Sequence, residues 1–179
     1  VGMAMQHLWR DWWVGATAVS LTLLFLYLNN QNRQITTDAL TGLNNRMEFD
    51  QHIFRQTEQS GNTSWGLFML DVDDFKGIND TLGHAVGDEA LWQTADILRH
   101  VLGGDRTFIA RYGGDEFAVV GDWETEQEAR AAIARVEDEV ARFNREASRN
   151  YKLSFSIGYG MWKEAETIEQ LIEKADERM

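Results

Sequence analysis

Two stretches of this sequence gather residues able to handle a charged substrate. The first is LDVDDFKGINDTLGHAVGDEAL, residues 70–91, in which an apolar run ends on Asp71 and Asp73. Two residues apart on a strand, those side chains share one face. Carboxylates at a strand end, beside a backbone carbonyl, are the hard oxygen ligands that Mg2+ takes. Lys76 and Asn79 follow at helix-turn spacing, offering a cation for phosphate and an amide for a base edge. The second stretch is RYGGDEF, residues 111–117. Gly113 and Gly114 let backbone approach a bulky anion that Cβ atoms would obstruct. Asp115 opens the return strand, and Glu116 points to the opposite face unless that strand bends; one of them is placed to complete a metal site with Asp71. Taken alone, the first stretch is an ordinary solvated turn and the second a plain Gly-Gly hairpin. Together they are the inventory of metal-assisted phosphoryl transfer, where positioning and charge neutralisation carry most of the catalysis.

The elements that must hold these residues follow from hydrophobic spacing. Strands are expected over 65–72, 107–112, 115–121 and 153–162, the last alternating through Leu153, Phe155, Ile157, Tyr159 and Met161. Helical spacing runs through Leu91, Ala95, Leu98 and Leu102, then Ile133, Val136, Val140 and Phe143, and finally Ile168, Leu171 and Ala175. Thr125 with Glu128, and Thr167 with Gln170, have capping-box spacing. A tight hairpin at Gly113-Gly114 among interleaved helices predicts an α/β sandwich with an antiparallel or mixed sheet. His84 reads as a structural loop residue, and Trp65, Trp92, Trp123 and Trp162 as packing residues.

Composition narrows the chemistry further. A net charge of −12 argues against a nucleic-acid surface and repels phosphates unless carboxylates hold divalent metal. Without cysteine there is neither a disulfide nor a thiolate metal site. Residues 12–28, WWVGATAVSLTLLFLYL, carry no charge and have aromatic residues towards both ends, which predicts one transmembrane helix. The organisation read from this is a span and short polar linker over 1–33, then a soluble domain over 34–179. Starting at Val1 and stopping at Met179, the chain has the ends of a piece cut from a longer protein, truncated at its C-terminus.

RYGGDEF with DVDDFKGINDTLGHAVGDEAL, the upstream DALTGLNNR (38–46) and the downstream SIGYG (156–160) resembles the GGDEF-domain diguanylate cyclases. The resemblance implies an α+β sandwich with a central, mainly antiparallel five-stranded sheet flanked by helices, related to nucleotidyl cyclases and the polymerase palm. It implies condensation of two GTP into cyclic di-GMP with release of two pyrophosphates, across a homodimer, at the bacterial inner membrane with the catalytic domain in the cytoplasm. Two Mg2+ per site, for which Mn2+ can stand in, would be held by Asp71, Asp115, Glu116 and the Val72 carbonyl. Asp115 and Glu116 would be catalytic, Glu116 either as a metal ligand or in activating the attacking 3′-hydroxyl. Asn79 and Asp88 would read the guanine edge, with an ordinary helix cap the competing role for Asp88. Phe75 and Lys76 would contact the triphosphate, lying against Gly113 and Gly114.

Departures from the family pattern also carry expectations. The inhibitory product motif RxxD would begin nine residues before Gly113, where Gly104 and Thr107 stand, so that site is expected to be absent, with Arg106 a solvated loop residue. A Lys is usual at the position of Glu177, leaving Arg178 to substitute. The alternative is a catalytically inactive GTP-binding regulatory module, against which the intact Gly113, Gly114, Asp115 and Glu116 argue. A membrane-tethered interaction scaffold would account for the charge but not for the two acidic clusters.

Overall fold

The computed structural model describes residues 17, 19–25, 27, 36–59, 64–104, 106–146, 149–165 and 167–177, and divides into two compact units, Val1–Thr36 and Thr37–Met179. In the first unit the described residues are helical, and the apolar side chains of Val19, Leu21, Leu23, Leu24, Phe25 and Tyr27 are exposed. Of the seventeen residues 12–28 expected to span a membrane, nine are described and eight lie outside the described residues. Among those described, no helix is long and apolar enough to cross one.

The second unit is a five-stranded sheet flanked by helices, in the order β1-β3-β4-β2-β5. Its strands are β1 (Asn44–Asn45), β2 (Gly66–Val72), β3 (Thr107–Arg111), β4 (Glu116–Gly121) and β5 (Phe155–Met161). The sheet is mixed rather than purely antiparallel: β1 runs parallel to β3, and the other three pairings are antiparallel. The helices are α1 (Arg46–Gln59), α2 (Phe75–Leu82), α3 (His84–Leu102), α4 (Glu126–Glu146) and α5 (Ile168–Glu177).

Strand alternation explains why the central strand is apolar throughout. Phe68, Leu70 and Val72 of β2 join one core with Leu91, Leu98, Val136 and Val140 from α3 and α4. Leu67 and Met69 face the other core with Phe49, Ile53, Leu171 and Ala175 from α1 and α5. A strand covered on both faces reads as a continuous run, and each fully buried large side chain contributes roughly 1.5–3 kcal/mol. β5 keeps its alternation, with Tyr159 and Met161 in the first core while Gly160 faces α5. A Cβ on Gly160 would lie 2.8 Å from the Leu171 backbone oxygen, so the missing side chain is what lets α5 seat on the strand.

Several boundaries differ from those expected. Three helices start earlier or run longer than their apolar spacing, and His84 begins α3 rather than lying in a loop. The Thr125 cap is present: Glu128 N–H donates to Thr125 Oγ1 at 3.3 Å, while the Glu128 carboxylate accepts from Glu124 N–H at 2.8 Å. α1 was not signalled by spacing, and β1, two asparagines long, had no alternation to reveal it.

Candidate active site

The end of β2 is where the sheet delivers its acids. Asp71 sits in register between Glu116 on β4 and Ser156 on β5. Where the strand ends, Val72 N–H donates to the Asp115 carbonyl at 3.2 Å and Asp73 N–H to the Ser154 carbonyl at 3.0 Å, so both neighbours grip the turn. Asp73 is not a second strand residue, since β2 stops at Val72; its carboxylate accepts from Ser156 Oγ at 2.7 Å. Asp115 precedes β4 rather than opening it, and Glu116 is the first strand residue.

Burial, and then repulsion from Asp115, Glu116 and Asp73, pushes the Asp71 carboxyl above its ordinary value. Among the described residues no hydrogen bond or ion pair compensates the Asp71, Asp115 or Glu116 carboxylates. Nor does any group of three or more His, Cys, Asp or Glu among them gather closely enough to hold a metal. Crowded negative charge without a cationic partner is the feature that suits a divalent ion here.

α2 begins directly after this turn. Asp74, its N-cap, takes the left-handed conformation (φ 51°) and makes no side-chain cap, so the first N–H groups of α2 are not occupied by its carboxylate. Such a terminus attracts phosphate. Lys76 in the first turn is exposed. The Phe75 ring instead packs against the core, which leaves its backbone to meet a ligand.

The base-edge candidates also come together. A Cβ on Gly87 would lie 2.1 Å from Asn79 Oδ1, so the Asn79 amide rests on the bare backbone of α3 one residue before Asp88. Asp88 is exposed and lies past the first turn of α3, which removes the helix-cap reading.

At the hairpin, Tyr112 and Gly113 N–H both donate to the Glu116 carbonyl, at 2.8 and 3.1 Å. The loop is thus longer than the two glycines. The Glu116 carboxylate folds over Gly113, where a Cβ would meet Oε2 at 2.1 Å, while Gly114 has nothing within 4 Å of a Cβ position. One glycine makes room for the acid; the other leaves the tip open.

Two contributors escaped the sequence reading. Arg111 donates to the Gly114 carbonyl and to Asp38, and Ser156 holds Asp73. Arg111 and Asp38 are 73 residues apart, so no local pattern links them. Arg46 stacks over the Tyr112 ring, its guanidinium carbon 4.6 Å from the centroid. A cavity of about 420 Å³, lined in part by Gly104, Arg106, Thr107 and Arg135, shares no residue with the acidic cluster. Arg178 lies outside the described residues.

Fold and site together define an α/β domain that gathers acids, a helix terminus and an open glycine tip at one end of its sheet. The family model described as "Diguanylate cyclase, GGDEF domain" matches residues 35–179. The chain is 37% identical over 142 residues to the probable diguanylate cyclase DgcI of Escherichia coli, covering 79% of this chain and 30% of that protein. It is 34% identical over 148 residues to the uncharacterized membrane protein SSP1970 of Staphylococcus saprophyticus, covering 80% of this chain and 41% of the other. The chain thus spans less than half of either relative. The coiled coil and GGDEF domain of DgcB from Caulobacter crescentus, solved in complex with c-di-GMP, superposes with a TM-score of 0.83 at 30% identity, over 92% of this chain and 88% of that one. This chain belongs to the GGDEF diguanylate cyclase family.

Proposed function

We propose that the domain joins two GTP molecules into cyclic di-GMP, releasing two pyrophosphates, with two copies of the chain facing each other across the product. The observation that carries this is the crowding of Asp71 by Asp115, Glu116 and Asp73 beside a glycine tip where Glu116 lies on Gly113. Asp71 and Asp115, with the Val72 carbonyl and Glu116, would hold two Mg2+, or Mn2+ in their place. When bound, these ions neutralise the triphosphate and polarise the α-phosphate.

The remaining work falls to the chain's own groups. The N–H groups of Phe75 and Lys76 and the Lys76 ammonium hold phosphate oxygens. Asn79 and Asp88 fix the guanine by its Watson–Crick edge, an amide and a carboxylate matching its acceptor and donors. Gly113 and Gly114 let the triphosphate lie against backbone. Glu116, poised at the tip, orients and takes the proton of the attacking 3′-hydroxyl as the new phosphodiester forms and pyrophosphate leaves. Because each site holds one GTP, a single copy has no second α-phosphate to attack, which is why the reaction needs a homodimer. No product-inhibitory site is proposed at Gly104 and Thr107.

The division into an anchor and linker over 1–33 and a catalytic domain over 34–179 is part of this proposal. The uncharged 12–28 stretch and the membrane designation of the SSP1970 relative support anchoring to a bacterial inner membrane, with the domain on the cytoplasmic side. Incubation with GTP and Mg2+, with products resolved by chromatography, tests the function. Cyclic di-GMP from the wild type, and none from Glu116→Gln, is expected; bound GTP that is never converted would favour the inactive regulatory module instead.

A further inference from the structure

We infer that Arg111 is a positioning residue, which clamps the glycine tip to the turn at Asp38 and so fixes where Asp115 and Glu116 stand. The inference rests on the proposed cyclase reaction for its kinetic consequence, though not for its geometry. Arg111 is the last residue of β3, paired with Phe117, and the five residues between them form the tip. Two consecutive glycines carry more backbone freedom than any other pair. Nothing lies near a Cβ position on Gly114, so local packing does not hold it. What holds it is the guanidinium. Nε and Nη2 both donate to the Gly114 carbonyl, at 3.1 and 2.6 Å, and Nη1 donates to both Asp38 oxygens at 3.1 Å.

Asp38 is itself fixed. It accepts from Thr41 N–H at 2.8 Å and Thr41 Oγ1 at 2.6 Å, its own N–H donates to the Leu43 carbonyl at 2.8 Å, and Arg99 of α3 donates to the Thr41 carbonyl. A chain of bonds thus runs from α3 through Thr41, Asp38 and Arg111 to the tip. The pair is shielded, with side-chain exposures of 16% for Arg111 and 21% for Asp38, so water competes weakly for it. Asp115 directly follows Gly114, and any drift of that carbonyl carries the catalytic acids with it. The planar fork is essential to this geometry, because it grips two acceptors at once; an ammonium has no such edge.

The test compares Arg111→Met, Arg111→Lys and Asp38→Asn in the full chain. Two quantities are read: kcat and KM for GTP, and amide hydrogen exchange over residues 112–116 without substrate. A misplaced catalytic group costs about 10²-fold, so Arg111→Met should lower kcat by about that factor while KM moves less than about threefold. Exchange at the tip should quicken, Lys should recover little of the loss, and Asp38→Asn should fall between. Wild-type kcat and unchanged tip exchange in Arg111→Met, or full rescue by Lys, would overturn the clamp. If Arg111→Met does not fold, Arg111→Lys and Asp38→Asn decide by the same criteria. The exchange readout needs no turnover, so a wild type that makes no cyclic di-GMP sinks the cyclase reading and leaves the clamp to be judged by exchange.

Discussion

Asp71 is held against its own interest. Burial and three neighbouring acids raise its carboxyl above the ordinary carboxylate range, so in the metal-free fold the protonated form is favoured relative to the unfolded chain. The stability associated with Asp71 is therefore present at acid pH and lost as pH rises through the raised value. Asp71→Asn should stabilise the metal-free protein at pH 7–8 by about 0.5 kcal/mol, discounted because the group is only partly buried, and by next to nothing at about pH 3, below the ordinary carboxyl value. Thermal melts at the two pH values, with and without Mg2+, check this: with Mg2+ the sign should reverse. Asp38 goes the other way. Burial raises its carboxyl, but hydrogen bonds from Thr41 and Arg111 outweigh that and hold it low, so its contribution is present at neutral pH and fades as pH falls through the depressed value. Asp71 and the glycine pair were legible in the sequence because local spacing displays them. Ser156 was not, since its bond to Asp73 crosses 83 residues.

At the scale of elements, two glycines make opposite bargains. In α3, Gly87→Ala should gain the helix propensity that glycine forfeits, about 0.5–1 kcal/mol, yet its Cβ displaces the Asn79 amide. The expected outcome is an unchanged or higher melting temperature with a several-fold higher KM for GTP and weaker discrimination against ATP, measured by steady-state kinetics. In β5, Gly160→Ala meets the Leu171 backbone oxygen as well as its Cδ1, both at 2.8 Å, so α5 must move, and overpacking of this kind costs about 1–3 kcal/mol in a denaturant titration. Helices α3, α4 and α5 were visible because each buries a stripe on one face. α1 was hidden because, among its described side chains, only Phe49 and Ile53 are buried, with Met47 and Phe54 exposed on the same helix. β1 could not be read locally: it is defined by the Asn44 amide donating to the Ile109 carbonyl at 2.8 Å and by pairing with β3.

For the whole molecule, the acidic balance and the two GTP sites of the proposed reaction make joint demands. A protein of net charge −12 gathers triphosphates poorly on its own, so product formation should require a divalent cation and stop on chelation. In the proposed reaction two copies must meet, so the initial rate at saturating GTP should rise more steeply than linearly with protein concentration where the dimer dissociates; strict linearity down to nanomolar protein would count against a dimeric site. If residues 12–28 anchor the chain, the full chain should sediment with membranes and resist carbonate extraction, whereas a chain starting at residue 34 should not.

In the proposed reaction Asp71 and Asp115 share cations with a bound triphosphate. Titration of Mn2+ followed by electron paramagnetic resonance, with a non-reactive GTP analogue present, reads this without turnover. Two bound Mn2+ per wild-type chain, and loss of at least one from both Asp71→Asn and Asp115→Asn, is the predicted result. Equal stoichiometry and affinity in all three proteins would contradict it.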